Sequence, residues 1–231
     1  MATVGILGGI GPESTVEYYR GLISGYRQSR PDGGYPSILL NSLDVTKLLA
    51  WMNAGQLSEV TEYLVDGLQK LVRGGADFAI IAANTPHIVF DEVQRRSPIP
   101  LVSIVEATCA EAERRGMTRV GLLGTRFTMQ AHFYQDVFSR KGIDLVVPSL
   151  DEQYYVHDKY VGELLKNVFL PETRKRLLEI IESMKGRDQI QAAILAGTEL
   201  PLILTEEQAC GIPLLDTTKI HVAAVLAELL A

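Results

Sequence analysis

Two polar turns, one in each half of the chain, carry the side chains best suited to chemistry. Asn84-Thr85 closes the apolar run Ala79-Ile80-Ile81-Ala82-Ala83, and Thr198-Glu199 closes its echo Ala193-Ile194-Leu195-Ala196-Gly197. Each turn adds backbone N–H groups to its side chains. Opposed across a cleft, two such turns suit a reaction that needs a chemical group on each face of a small substrate. Helix capping by both turns is the alternative, and Glu199 suits it poorly.

Other segments end apolar runs in the same way. The glycines of Gly8-Gly9-Ile10-Gly11-Pro12-Glu13-Ser14-Thr15 let backbone approach a ligand, and N–H groups at a helix start favour an anion. An ordinary strand-to-helix turn explains Gly9 and Gly11 equally well. The glycine spacing does not suit a dinucleotide. Asn41, Ser42 and Asp44, followed by Lys47, could orient an amino or carboxylate group, or Ser42 and Asp44 could cap the next helix. Thr125 and Thr128 stand at another strand end, for a carboxylate or for a cap. His87 and His221 enter helices and serve either acid–base work or packing. His157 and Lys166 lie on an amphipathic segment; Lys166 reads as a surface cation rather than a catalytic group and is retained as a substrate contact. Cys109 and Cys210, the two cysteines, read as small buried hydrophobes in helical stretches, without metal or redox spacing.

The elements that must position these residues repeat. Gly5-Ile6-Leu7-Gly8 is echoed by Gly121-Leu122-Leu123-Gly124, and Ile99-Pro100-Leu101-Val102-Ser103 by Ile212-Pro213-Leu214-Leu215-Asp216. Short Val/Ile/Leu runs alternate with amphipathic stretches, which reads as α/β with parallel sheets in two pseudo-symmetric lobes from an internal duplication. Strands are expected at 3–7, 37–41, 78–82, 101–102, 119–123, 144–147, 192–195 and 214–215, and helices at 57–72, 171–184 and 218–230, the last largely buried. Arg30-Pro31-Asp32-Gly33-Gly34 reads as a loop, and Gly116, Gly142 and Gly211 as helix stops. The expected division is 1–103 plus 217–231 against 104–216, with the active cleft between the lobes.

No apolar run approaches the ~20 residues of a membrane span. No basic segment or cleavage pattern opens the chain, so a cytoplasmic location is the expectation. A net charge of −6 with scattered cations excludes a nucleic-acid footprint.

These segments together resemble the aspartate/glutamate racemase superfamily over essentially the whole chain. Gly8-Gly9-Ile10-Gly11-Pro12 is similar to the family's Gly-Gly-Met-Gly-Pro turn, Ala83-Asn84-Thr85-Pro86-His87 to Cys-Asn-Thr-x-His, and Gly197-Thr198-Glu199 to Gly-Cys-Thr-Glu; Asp216-Thr217-Thr218 with Ile220-His221 is similar to its closing segment. The resemblance implies a cofactor-independent isomerase, without pyridoxal phosphate or metal, acting on an acidic amino acid or related dicarboxylate as a homodimer. One thiolate takes the α-proton and a second thiol returns one from the opposite face, while Asn84, Thr85, Thr198 and Glu199 hold carboxylates and amine. Here Ala83 and Gly197 stand at the two thiol positions, and neither side chain moves a proton. His87, Lys47, Asp44 or Glu199 would then replace the thiols. A non-catalytic dicarboxylate-binding homologue, or a decarboxylase or cis–trans isomerase on the same scaffold, are the alternatives.

Overall fold

The computed structural model describes residues 2–30 and 33–231, so Pro31 and Asp32 of the expected loop lie outside the described residues. The chain divides into two compact units, Met1–Ile104 with Thr218–Ala231, and Val105–Thr217. Both are α/β, with parallel strands flanked by helices.

In the first unit, β1 (Thr3–Gly8), α1 (Pro12–Ser29), β2 (Ser37–Ser42), α2 (Val45–Asn53), α3 (Leu57–Arg73), β3 (Phe78–Ile81), α4 (Phe90–Arg96) and β4 (Leu101–Val102) follow in order. The sheet order is β2-β1-β3-β4, all parallel. The register pairs Leu7 with Asn41 on one side and Ile81 on the other, which brings the carboxyl ends of three strands to one edge. β1 and β3 are buried on both faces, so they read as unbroken apolar runs rather than alternating ones. Val60, Leu64, Leu68 and Leu71 form the buried stripe of α3, as their spacing predicts.

The second unit contains α5 (Ile104–Arg114, which begins at the junction), β5 (Arg119–Gly124), α6 (Arg126–Gln130), α7 (Phe133–Ser139), β6 (Asp144–Val146), α8 (Leu150–Gly162), α9 (Pro171–Asp188), β7 (Ala193–Ala196), α10 (Leu200–Ile203), β8 (Gln208–Ala209) and β9 (Ile212–Asp216). Its sheet order is β6-β5-β7-β9-β8. Its parallel part repeats the first unit's order strand for strand, which carries the sequence repeat into the fold. Gly124 pairs with Ala196, and Leu195 with Asp216, so strand ends are again level. Ser149 and Glu152 form a capping box at the start of α8, the Ser149 N–H donating to Glu152 Oε2 at 2.9 Å.

α11 (Thr217–Leu230) returns the chain to the first unit. Val222, Val225 and Leu229 join Tyr18, Leu22 and Tyr26 of α1 in one core cluster. Gly21 makes room for this helix, because a Cβ there would lie 3.2 Å from Val222 Cγ1.

Three local expectations are corrected. Cys210 is not helical and Gly211 does not stop a helix. Together they form the two-residue turn joining antiparallel β8 and β9, with φ of 52° and 70°. Two successive positive φ values match the right-handed twist of a hairpin. α11 is buried along one face only; Lys219, Ala223 and Ala227 are exposed, so its apolar composition overstated its burial.

Candidate active site

In parallel sheets ligands bind beyond the carboxyl ends of the strands, and the chain carries such an edge in each unit. In the first unit, the turn after β1 is built for backbone contact. The Thr15 hydroxyl accepts from the Gly9 N–H and donates to Gly11 O, both at 2.9 Å. Gly9 has φ 77°, and a Cβ there would lie 2.6 Å from Leu43 N. The glycines thus seat this turn against the chain leaving β2, and the Gly9 N–H is spent inside the turn. Thr15→Val keeps the shape, removes both bonds and leaves a buried N–H unpaired, an expected loss of about 1–3 kcal/mol measured by urea unfolding.

The residues after β2 are largely committed to structure. Asn41 Nδ2 donates to Gly67 O at 3.0 Å. Asp44 caps α2, accepting from the N–H groups of Thr46 (2.8 Å) and Lys47 (3.4 Å). Ser42 is exposed. The exposed Lys47 ammonium lies over the rings of Trp51 and Tyr63, at 4.8 and 5.0 Å from their centroids.

Beyond β3 the chain runs through Ala83 into the 3-10 turn Thr85–Val89. Asn84 is buried and Thr85 half-buried. His87 is buried, its ring stacked on Phe90 at 4.8 Å, and Nδ1 donates to Ala83 O at 2.9 Å. Because a carbonyl only accepts, Nδ1 carries the proton and Nε2 holds the lone pair. Nε2 is buried and has no hydrogen-bond partner among the described residues. Burial, with His221 nearby, lowers the His87 pKa to about 3. His221 differs. Its Nε2 donates to Val102 O at 2.9 Å and its Nδ1 accepts from the Tyr18 hydroxyl at 2.8 Å, so both ring nitrogens are engaged in packing.

In the second unit, Gly197, Thr198 and Glu199 follow β7, and all are buried. Glu199 is 1% exposed, and its Oε2 accepts from Thr198 Oγ1 at 3.0 Å and from the Tyr160 hydroxyl. Burial, reinforced by the Glu199 charge, pushes the Tyr160 phenol well above its ordinary range. Thr125 caps α6, accepting from the Thr128 N–H at 3.3 Å, and the two hydroxyls are 3.2 Å apart. His157 Nδ1 accepts from the Arg126 N–H at 3.3 Å. Lys166 is exposed in the turn Leu164–Lys166 that follows α8. Cys109 is buried in α5. No group of three or more His, Cys, Asp or Glu side chains that could hold a metal is found among the described residues.

Tyr160 is the site residue that sequence reasoning missed. It shares a stripe with Val156 and Leu164, all three buried, and at that spacing an aromatic reads as core.

The sequence profile of the Asp/Glu/Hydantoin racemase family matches residues 7–225. The chain belongs to this family. It is 26% identical over 218 residues to the broad specificity amino-acid racemase of Bacillus subtilis (strain 168), covering 93% of this chain and 92% of that one. The crystal structure of an aspartate racemase homologue from Pyrococcus horikoshii OT3 superposes with a TM-score of 0.84 at 32% identity, covering 100% of both chains. The Picrophilus torridus aspartate racemase gives 0.78 at 24% identity, over 99% of this chain and 94% of that one, and shares the fold. Within the racemase family, this chain presents a methyl group at residue 83 and no side chain at residue 197. Its buried titratable groups beside those two positions are His87 and the pair Tyr160–Glu199. No described helix is long and apolar enough to cross a membrane.

Proposed function

We propose that the protein is a cofactor-independent isomerase of the racemase type, exchanging the α-proton of an acidic amino acid or related dicarboxylate without thiols. The observation that carries this reading is the buried Glu199 carboxylate at the end of β7, fixed by two hydroxyl donors. A desolvated, oriented carboxylate beside a carbon acid is a general base. In this reading Glu199 takes the α-proton and, as the acid so formed, returns one to the planar carbanion. Return to the same face gives exchange alone, and inversion follows when the carbanion turns its other face to Glu199 first. His87, with a pKa of about 3, hardly holds a proton at neutral pH. In the site that the family resemblance implies, its Nε2 lone pair instead accepts a hydrogen bond from the substrate ammonium, while Asn84, Thr85 and Thr198 bind carboxylate oxygens. Thr125, Thr128, Lys47 and Lys166 are weaker contacts, because Thr125 caps α6 with its hydroxyl on that of Thr128 and the lysines are exposed. The family resemblance extends the reading to a cytoplasmic homodimer.

A second reading, a dicarboxylate-binding protein without turnover, is favoured by the same low proton affinity of His87, which suits an acceptor better than an acid–base pair. One experiment separates the two. L- and D-aspartate and L- and D-glutamate are incubated with the protein in deuterated water, and the α-proton signal is followed by NMR. The expected result is loss of signal above a heat-killed control for at least one of the four, slowed about a hundredfold by Glu199→Gln. Persistent signals in all four, together with a raised thermal midpoint, would replace the isomerase with the binding protein.

A further inference from the structure

We infer that Tyr160 is a positioning residue for Glu199, and that Gly197 is without a side chain because the Tyr160 ring occupies the space a side chain there would need. The inference rests on the reading of Glu199 as the proton-transfer group. A Cβ built on Gly197 would lie 3.0 Å from Tyr160 Cζ and 3.1 Å from its hydroxyl oxygen, and closer still to Cε2. The ring is 6% exposed and cannot swing aside without opening the packing of α8. Its hydroxyl reaches past Gly197 to Glu199 Oε2, the same oxygen that Thr198 Oγ1 engages.

Two hydroxyl donors on one oxygen select a single carboxylate rotamer. Burial and the Glu199 charge raise the phenol pKa well above its ordinary range, so its proton stays available for donation to the carboxylate. A thiol at residue 197 would have to alternate between protonated and ionised states. Tyr160 stays protonated and acts through the carboxylate. The bare Gly197 and the Tyr160 hydroxyl are therefore one feature, a fixed donor reaching past the position where a side chain would stand.

The test is a four-protein cycle of wild type, Tyr160→Phe, Glu199→Gln and the double variant. Tyr160→Phe keeps the ring over Gly197 and removes only the hydroxyl. For α-proton exchange it should lower kcat about tenfold, the scale of one hydrogen bond to a charged group, with KM nearly unchanged. The double variant should be no slower than Glu199→Gln alone, because Tyr160 acts through Glu199. Multiplying losses in the double variant, or a change confined to KM, would overturn the inference. If the wild type exchanges no proton, the reading of Glu199 as the base fails, and thermal midpoints then decide the pairing. Tyr160→Phe should lower the midpoint in wild type and by less than half as much beside Glu199→Gln. Equal drops in both backgrounds would show that the hydroxyl does not act on Glu199.

Discussion

Gly197→Cys should destabilise the protein by about 1–3 kcal/mol, the usual cost of forcing a side chain into filled space, and should not by itself introduce thiol chemistry. The new Cβ and the Tyr160 ring compete for one volume. The sulfur gains its place only when Tyr160 leaves, and Tyr160 leaves only by giving up its bond to Glu199. The cost should fall by more than half in a Tyr160→Ala background, where the ring is gone. Ala83→Cys with Gly197→Cys should therefore yield two-thiol racemisation only when Tyr160 is truncated as well. Urea unfolding of the four combinations at positions 160 and 197 measures the coupling. A Gly197→Cys protein as stable as wild type, with its tyrosine still on Glu199, would contradict the packing argument.

Acid should unfold the protein earlier than its surface charges would suggest. His87 and His221 have pKa values lowered to about 3 and about 4 in the folded state, against 6.5 for a free side chain, chiefly because both are buried. Native histidines therefore stay neutral while those of the unfolded chain gain protons as pH falls below 6.5. Their contribution is fully present above that pH and is lost progressively down to about pH 3. Each histidine adds up to about 1.4 kcal/mol per pH unit, so both together approach about 2.7 where unfolded rings are charged and native ones are not. Urea midpoints between pH 7 and pH 4 should fall steeply with little change of m-value. His221→Gln, whose amide can still donate to Val102 O, should show about half the slope. A flat profile over that range would mean that both rings take up protons in the native state.

Much of this architecture was legible because buried parallel strands leave a coarse mark. Val4–Leu7 and Ala79–Ile81 are apolar at every position, as two-sided burial requires, and their echoes near 120 and 194 specify the same strand order twice. β8 escaped because Gln208–Ala209 is an edge pair whose backbone bonds, not its side chains, make it a strand. The Cys210-Gly211 turn was misread because a glycine after a helical-looking run is ambiguous until its partner strand is known. Among site residues, the polar turns Asn84-Thr85 and Thr198-Glu199 stood out as polar ends on apolar runs. The two histidines looked alike; what separates them is that Tyr18 reaches His221 and no described residue bonds His87 Nε2. Tyr160 was invisible because its hydroxyl's partner lies on another element, and sequence spacing reports a shared face but not what faces it.

The return of α11 sets an order of events at birth. Residues 105–217 are contiguous, so the second unit's contacts are all available once that stretch has left the ribosome. The first unit is synthesised earlier but waits: Val4, Ile6, Phe78 and Ile80 give Tyr18, Leu22 and Tyr26 part of their cover, and the rest comes only when Val222, Val225 and Leu229 emerge after the whole second unit. Contacts of such sequence separation close slowly. The first unit thus passes the synthesis of the second with part of an apolar face bare, and the chaperone demand of the pair falls on the unit that is begun first.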